Sequence, residues 1–262
     1  MSAPQTPRGP SIGAIIITRN EERNLPECLA GLAWCDEIVV LDHASGDRTV
    51  ELARAAGARV EQSPDWPGFG AQKNRALALA GCDWVLSIDA DERVGEDLAR
   101  EIRAAAANPG DAAAFSIPRR SSYCGQFMRH GGWYPDRVTR LFRRGSARFS
   151  DDLVHESLRV DGNVARLRED LLHISYRSLD DVLDKMNRYS SAGAVKVAAG
   201  GGGGAGLLDA LLHSFWAFMR TYVLRRGFLD GRLGFVLACS TAHETWYRYL
   251  KAWRLREAQR RP

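Results

Sequence analysis

Long apolar runs are missing from this sequence, as are paired cysteines and a glycine-rich phosphate loop behind the first predicted strand. A membrane-crossing helix needs about 20 consecutive apolar residues. From Leu207 onward the longest uncharged run, Leu233–His243, is too short to span. The five cysteines, Cys28, Cys35, Cys82, Cys124 and Cys239, are scattered, odd in number and without a C-x-x-C pair. That pattern argues against a disulfide scaffold or a zinc finger and points to a reducing compartment. Where a dinucleotide-binding enzyme would carry Gly-x-Gly-x-x-Gly after its first strand, this chain has Thr18-Arg19-Asn20-Glu21-Glu22. The N-terminus, MSAPQTPRGPSIG, lacks the charged start and apolar stretch of a secretory signal, and residues 1–11 read as a flexible lead-in.

What is present begins with apolar content: 45% of 262 residues is ample for one large α/β domain with an appendage. Charge is unevenly spread. Between His213 and Pro262 stand ten Lys/Arg against three acids, so residues 1–212 carry a net −3 of a chain whose total is +4. Basic charge gathered at one end points to an anionic surface as partner.

The apolar run Ile12–Ile17 is continuous, the pattern of a parallel strand buried on both faces. A loop and helix over Asn20–Trp34, a strand over Glu37–Leu41, helical composition over Asp47–Ala56, a short strand at Ala58–Glu61, a helix over Ala71–Ala80 and a strand over Trp84–Ile88 follow. This alternation predicts a doubly wound α/β sheet, in which ligands bind beyond the carboxyl ends of the strands. There the chain places Thr18–Glu22, Asp42 and Asp89–Glu92. Beyond Asp111 come short β-like stretches (Ala113–Pro118, Val138–Phe142, Leu153–Val160), then a helix over Leu179–Ala199. A glycine-rich break at 200–206 precedes two or more helices over Leu207–Glu257, turning at Gly227–Gly234.

The segment VLSIDAD is an apolar strand delivering Asp89 and Asp91 with one residue between. On an extended chain side chains two apart share a side, so both carboxylates can face one Mg²⁺ or Mn²⁺ that neutralises a diphosphate. In isolation such a motif is more often a solvated loop. Here IIITRNEERNL, VVLDHASGDRT, GFGAQKNRALALA and DWVLSIDADERV occur in order between Ile12 and Glu92, and this segment resembles glycosyltransferase family 2, of A-type fold with a Rossmann-like nucleotide-binding half. The resemblance implies Thr18 and Glu22 by the base and ribose, Asp42 holding uracil or ribose, Lys73 at the base or diphosphate, Asp89 at ribose and metal, and Asp91 on the metal. One departure is His43, where many relatives carry Asp or Ser after the first acid.

Further on, GGWYPDRVTRLFRR, ARFSDDLVHESL and LLHISYRSLDDVLDKMNRYS, with RRGFLDGRLGF near the end, resemble the subgroup of lipopolysaccharide inner-core β-1,4-glucosyltransferases. Glu156 occupies the position of the family's base, with Asp152 and His155 as rivals and a structural His155-Glu156 ion pair as the bland reading. No second His follows in metalloprotease spacing. His173 is either a core histidine or, as the resemblance implies, a third metal ligand. Arg137 and Arg140 are candidates for donor phosphate or anionic acceptor, Trp133 and Tyr134 for sugar stacking, and all four also suit ordinary packing.

The expected organisation is thus a glycosyltransferase domain over 12–178, with a nucleotide-sugar half (12–110) and an acceptor half (111–178), and a helical segment over 179–262. Aromatic and basic residues mingle in that last segment without a spanning run, the composition of helices lying in a membrane interface, though an amphipathic pair packed on the domain is the simpler alternative. The expected activity is inverting, metal-dependent transfer of a hexose, glucose by the resemblance, from a UDP-sugar to a lipid-linked glycan. The expected place is the inner face of the cytoplasmic membrane, with no nucleic-acid partner. A polyprenyl-phosphate glycosyltransferase and a non-catalytic nucleotide-sugar sensor are the alternatives. A haloacid-dehalogenase-type phosphatase is disfavoured because Arg93 stands where that pattern has Thr or Val.

Overall fold

The computed structural model describes residues 9–150, 157–200 and 206–260, and it divides into two compact units, 1–119 with 136–173 and 120–135 with 174–262. Most of the lead-in and of the glycine-rich break lies outside the described residues. The division differs from the 12–178 and 179–262 boundaries expected from sequence, because residues 120–135 form their contacts with the C-terminal helices.

In the first unit β1 (Ile12–Thr18) pairs in parallel with β2 (Glu37–Asp42) on one side and β4 (Trp84–Ser87) on the other. Flanked on both edges and covered on both faces, β1 alternates between two cores. Ala14 and Ile16 pack with Leu25, Leu29, Val40 and Leu86, while Ile15 packs with Val39, Val85 and Phe142. This double burial is why the strand reads as an unbroken apolar run. Short β3 (Arg59–Gln62) extends the parallel set beyond β2. Three helices connect these strands: α1 (Leu25–Ala30), α2 (Thr49–Ala55) and α3 (Phe69–Leu79).

After β4 the sheet changes direction. The Asp89–Asp91 segment is a turn closed by the Glu92 N–H donating to the Asp89 carbonyl at 2.9 Å, and β5 (Glu92–Val94) leads into α4 (Glu96–Ala107). The sequence reading passed over α4, although Glu96 and Asp97 in its first turn and the buried Leu98, Ala99, Ile102 and Ala106 give it a start signal and one apolar face. The long β6 (Ala112–Tyr123) and β8 (Asp136–Arg143) are antiparallel to each other, and β8 is antiparallel to β4. With β7 (Gln126–Phe127), β9 (Ala147–Phe149), β10 (Leu158–Val160), β11 (Asn163–Arg166) and β12 (Leu171–Tyr176), the main sheet runs β3-β2-β1-β4-β8-β6-β12-β5, with β9 and β10 a separate pair.

The second unit holds α5 (Leu179–Ala199), α6 (Leu207–Met219) and the 30-residue α7 (Gly231–Arg260). A reciprocal cap fixes the start of α5: Ser178 Oγ accepts the Asp181 N–H, and the Asp181 carboxylate accepts the Ser178 N–H. Between α6 and α7 lie a π-helical turn (Arg220–Leu224) and a 3₁₀ turn (Gly227–Asp230), so the reversal sits slightly before the predicted Gly227–Gly234, and Gly231–Gly234 opens α7. The glycines of RRGFLDGRLGF have steric reasons. Gly231 adopts φ +66°, and a Cβ at Gly234 would lie 1.9 Å from the Gly227 carbonyl oxygen. Asp230 is buried there and accepts the backbone N–H groups of Arg129 and His130 and the His130 ring, which ties the 120–135 segment to this turn.

Candidate active site

The carboxyl ends of the parallel strands are laced by side chains. Asp42, fully buried at the end of β2, accepts the Thr18 hydroxyl at 3.0 Å, the Ser45 N–H at 3.0 Å and the Ser45 hydroxyl. Asn20, at φ +56°, receives the Gly46 N–H on its side-chain oxygen, and Glu22 accepts the Arg48 N–H at 3.3 Å. Thr18 and Asp42 thus come together and are buried, while Glu22 is exposed and meets the Asp47–Arg48 loop. The carboxylate of Asp42 is occupied in shaping the loop. Beside it His43 lies 5.4 Å from Trp66, which meets Phe69 edge-on at 4.9 Å, and Trp66 and Phe69 are exposed. The sequence reading missed this aromatic shelf. Its signal was two large aromatics around a proline and a glycine in DWPGFG, just ahead of the Ala/Leu-rich body of α3.

Asp89 carries the densest electrostatics. Lys73 Nζ, delivered by α3, stands 3.0 Å from Oδ1, and the Arg140 guanidinium of β8 bonds Oδ2. Arg140 also donates to Glu92 at 2.7 Å, and Glu92 accepts the Asp89 N–H at 3.0 Å. Arg119 of β6 lies 3.6 Å from Glu92 and bonds Asp136 at 2.6 Å. Lys73, Glu92 and Arg140 are all buried. Burial alone would raise the pKa of Asp89, but Arg140 and then Lys73 outweigh it and hold the carboxyl well below the usual range. At Glu92 burial is the stronger influence and pushes the carboxyl up, with Arg140 opposing. Arg140 is itself buried, which disfavours its charge, but Asp89 and Glu92 more than restore it. Its Nε is buried with no hydrogen-bond partner among the described residues.

This network opens on a cleft of about 390 Å³ lined by Asp89, Arg119, Arg137, Arg140, Phe149 and Ser157. Three guanidinium groups around one small cleft form an anion-accepting surface. Arg137 is steadied by the Leu167 carbonyl at 3.1 Å. Glu92, Arg119 and Asp136 were not singled out individually from sequence. Their charged side-chain partners lie 17 to 48 residues away in the chain, a separation at which no local spacing signals a pair.

Asp89–Asp91 is a turn and not an extended strand, and the two acids have different partners. Asp91 Oδ2 lies 3.3 Å from His173 Nε2, an approach produced by the antiparallel register of β12 on β5, where His173 faces Glu92. Adjacent ligands on one Mg²⁺ or Mn²⁺ are separated by roughly 3 Å, so Asp91 and His173 fit two positions around such an ion. Asp89 is engaged by the two cations, and among the described residues no group of three His, Cys, Asp or Glu converges. The donors present suit an ion completed by water and ligand oxygens.

Trp133 and Tyr134 belong to the second unit, where Trp133 packs against Tyr123 and Tyr176 at 5.6 and 5.8 Å, and Tyr134 precedes a cis proline. Much of the Trp133 ring is therefore used in packing. Glu156 and its rivals Asp152 and His155 lie outside the described residues.

An α/β sheet with acids and cations at its parallel strand ends, over an arginine-lined cleft, has the A-type architecture of nucleotide-diphospho-sugar transferases. The family model for glycosyl transferase family 2 matches residues 14–174, more than half the chain, and this protein belongs to that family. It is similar to an uncharacterized glycosyltransferase of Rickettsia typhi, 31% identical over 94% of this chain and 87% of that one. It is also similar to the lipopolysaccharide core biosynthesis glycosyltransferase LpsC of Rhizobium meliloti, 33% identical over 69% of each chain. Among solved structures, glucosyl-3-phosphoglycerate synthase from Mycobacterium tuberculosis in complex with Mn²⁺, UDP and phosphoglyceric acid is 27% identical, with a TM-score of 0.37, and the match covers 45% of this chain and 44% of that one.

Proposed function

We propose that this glycosyltransferase moves a hexose, glucose by its resemblance, from a UDP-sugar to a lipopolysaccharide core or related lipid-linked surface glycan, with inversion at the anomeric carbon. The observation that carries the reading is the Lys73–Asp89–Arg140–Glu92 network at the mouth of the arginine-lined cleft. Lys73 and Arg140 supply fixed positive charge where a diphosphate leaving group develops negative charge. Glu92 and Arg119 hold Arg140 and Asp89 in register, so that little reorganisation accompanies the reaction. The loop built on Thr18, Asn20, Asp42 and Ser45 is suited to seating the nucleoside, with Glu22, His43 and Trp66 at its edge.

Asp91 and His173, with Asp89 beside them, would hold a divalent cation, which when bound neutralises diphosphate charge. Glu156 is assigned by its motif as the base that takes the acceptor hydroxyl proton during a single in-line displacement. Similarity to LpsC supports the acceptor class, and the basic C-terminal segment supports work at the inner membrane face.

Isothermal titration with UDP, UDP-glucose and NAD, each with and without Mn²⁺, tests the donor reading. Metal-dependent, uridine-selective binding supports it, and absence of binding to any uridine nucleotide overturns it. Product anomers from truncated core acceptors then test inversion, and Glu156→Gln should abolish transfer while leaving UDP binding intact.

A further inference from the structure

Within the second unit, α6 turns one face to its neighbour and the other outward. Ala210 and Ala217 are buried, and His213 stacks on Tyr249 of α7 at 4.3 Å. Leu207, Leu208, Leu211, Leu212, Phe215 and Trp216 recur at helical spacing on the other face and are all more than half exposed. The apolar surface continues past the helix. Val223 and Leu224 in the π-helical turn and Phe228 and Leu229 in the 3₁₀ turn are exposed as well. A contiguous patch of this extent is rare on a soluble monomer and marks a surface that meets something.

The accompanying charge is of one sign. Between Asp209 and Glu244 the only acid is Asp230, which is buried and committed to His130 and two backbone N–H groups. Arg220, Arg225, Arg226 and Arg232 fall in the same stretch and are exposed. Farther along α7, Lys251 bonds Asn187, Ser190 and Ser191, Arg256 bonds the carbonyls of Val197 and Gly200, and Arg248 and Arg254 pair with Glu244 and Glu257. Among the described residues, exposed basic charge with no exposed acid in the same stretch of chain therefore lies at Arg220–Arg232, around the α6 face and the turn that follows it.

We infer that the outward face of α6 and the Arg220–Phe235 turn form one docking surface for an anionic lipid bilayer, with the leucines and aromatics entering the acyl boundary and the arginines meeting headgroup phosphate. Side chains of both kinds on one face, with no helix among the described residues apolar enough to cross, match a helix lying in the interface. A second copy of the chain is a poorer occupant, since face-to-face pairing would bring the arginines of both copies together. The inference rests on the proposed lipid-linked acceptor only in explaining why the enzyme should be there.

The test uses full-length protein and vesicles of phosphatidylcholine alone or with phosphatidylglycerol. Flotation measures binding, brominated lipids report tryptophan insertion by quenching, and UDP titration runs in parallel. The wild type should float with anionic vesicles and show quenching that is lost in Trp216→Phe. The pair Leu212→Ser with Trp216→Ser, exposed positions whose folding circular dichroism checks, should weaken binding at least about tenfold. Arg220→Glu with Arg232→Glu should weaken binding to anionic vesicles by roughly tenfold or more. Failure of the wild type to bind anionic vesicles, or wild-type binding by either pair, overturns the inference. A wild-type dimer dispersed by the serine pair, without vesicle binding, also overturns it by making the face a self-association surface. Loss of UDP binding with vesicle binding intact strikes the donor reading and leaves this one standing.

Discussion

The first unit buries Lys73, Glu92 and Arg140 to less than 10% exposure, while the second leaves Leu208 and Phe215 more than 60% exposed. Each arrangement costs free energy that an ordinary core and surface would not. Taking three charged groups out of water is unfavourable unless every charge meets its complement, and leucine and phenylalanine in water forgo the gain of burial. The first cost is met inside the fold, by guanidinium–carboxylate geometry. The second is met by nothing within the described residues of its unit. A site whose charges are compensated internally is ready to exchange one partner for a ligand, whereas an uncompensated apolar face has yet to meet its partner.

The comparison breaks most readily at Arg140. Arg140→Met leaves buried Glu92 beside Asp89 with only the longer Arg119 contact at 3.6 Å, and unfolding in denaturant should show a loss of about 3–5 kcal/mol, together with loss of UDP binding by titration. Adding Glu92→Gln should return part of the stability and none of the binding. A stable Arg140→Met protein would mean that the network's charges are not mutually dependent. The second unit offers the next largest effect, because it too has a buried acid. Asp230→Ala strands the N–H groups of Arg129 and His130, and a thermal melt should report a loss of about 2–3 kcal/mol.

The same contrast separates what the sequence disclosed from what it concealed. The β1 and β2 strands, the Leu179–Ala199 helix and the clustering of Thr18, Asp42 and Asp89 at strand ends were legible, because apolar runs and the βα alternation are local signals. The family was legible in motifs carried in order along the chain. The pairing of Arg140 with Glu92 and of Arg119 with Asp136 was not, since register between strands far apart in the chain decides it. Nor were the different partners of Asp89 and Asp91, which depend on the turn at DAD and on the pairing of β12 with β5. The basic C-terminus was visible as charge, but only the packing of α7 against α5 shows which cations remain outward.

Close packing near Lys73 sharpens the account of the first unit. A Cβ at Gly70 would lie 1.9 Å from the Ser150 carbonyl oxygen, so Gly70→Ala must shift the start of α3, the helix that carries Lys73, or the backbone at Ser150. An overpacking cost of about 1–3 kcal/mol is expected in denaturant melts. UDP affinity should fall with it, even though residue 70 contributes no charge. An unchanged affinity would show that Lys73 reaches Asp89 independently of where the helix begins.

The smallest effect concerns pH and follows from the sign of the shift at Asp89. Its carboxyl is held below the ordinary value by Arg140 and Lys73 against the opposing influence of burial, so the folded state favours the ionised form. The stabilisation is fully present above the unfolded carboxyl's pKa, about 3.9, and is lost as pH falls through the folded value. Between pH 5 and 8 Asp89 stays ionised, and donor affinity should show no titration attributable to it. Wild type and Asp89→Asn should therefore differ in denaturant midpoint by a constant amount over that range, with the gap closing as pH is lowered below about 4. A gap that closes near neutrality would mean that burial, and not the two cations, governs this carboxyl. The first unit's charges would then be a cost left uncompensated, as the apolar face of the second unit is.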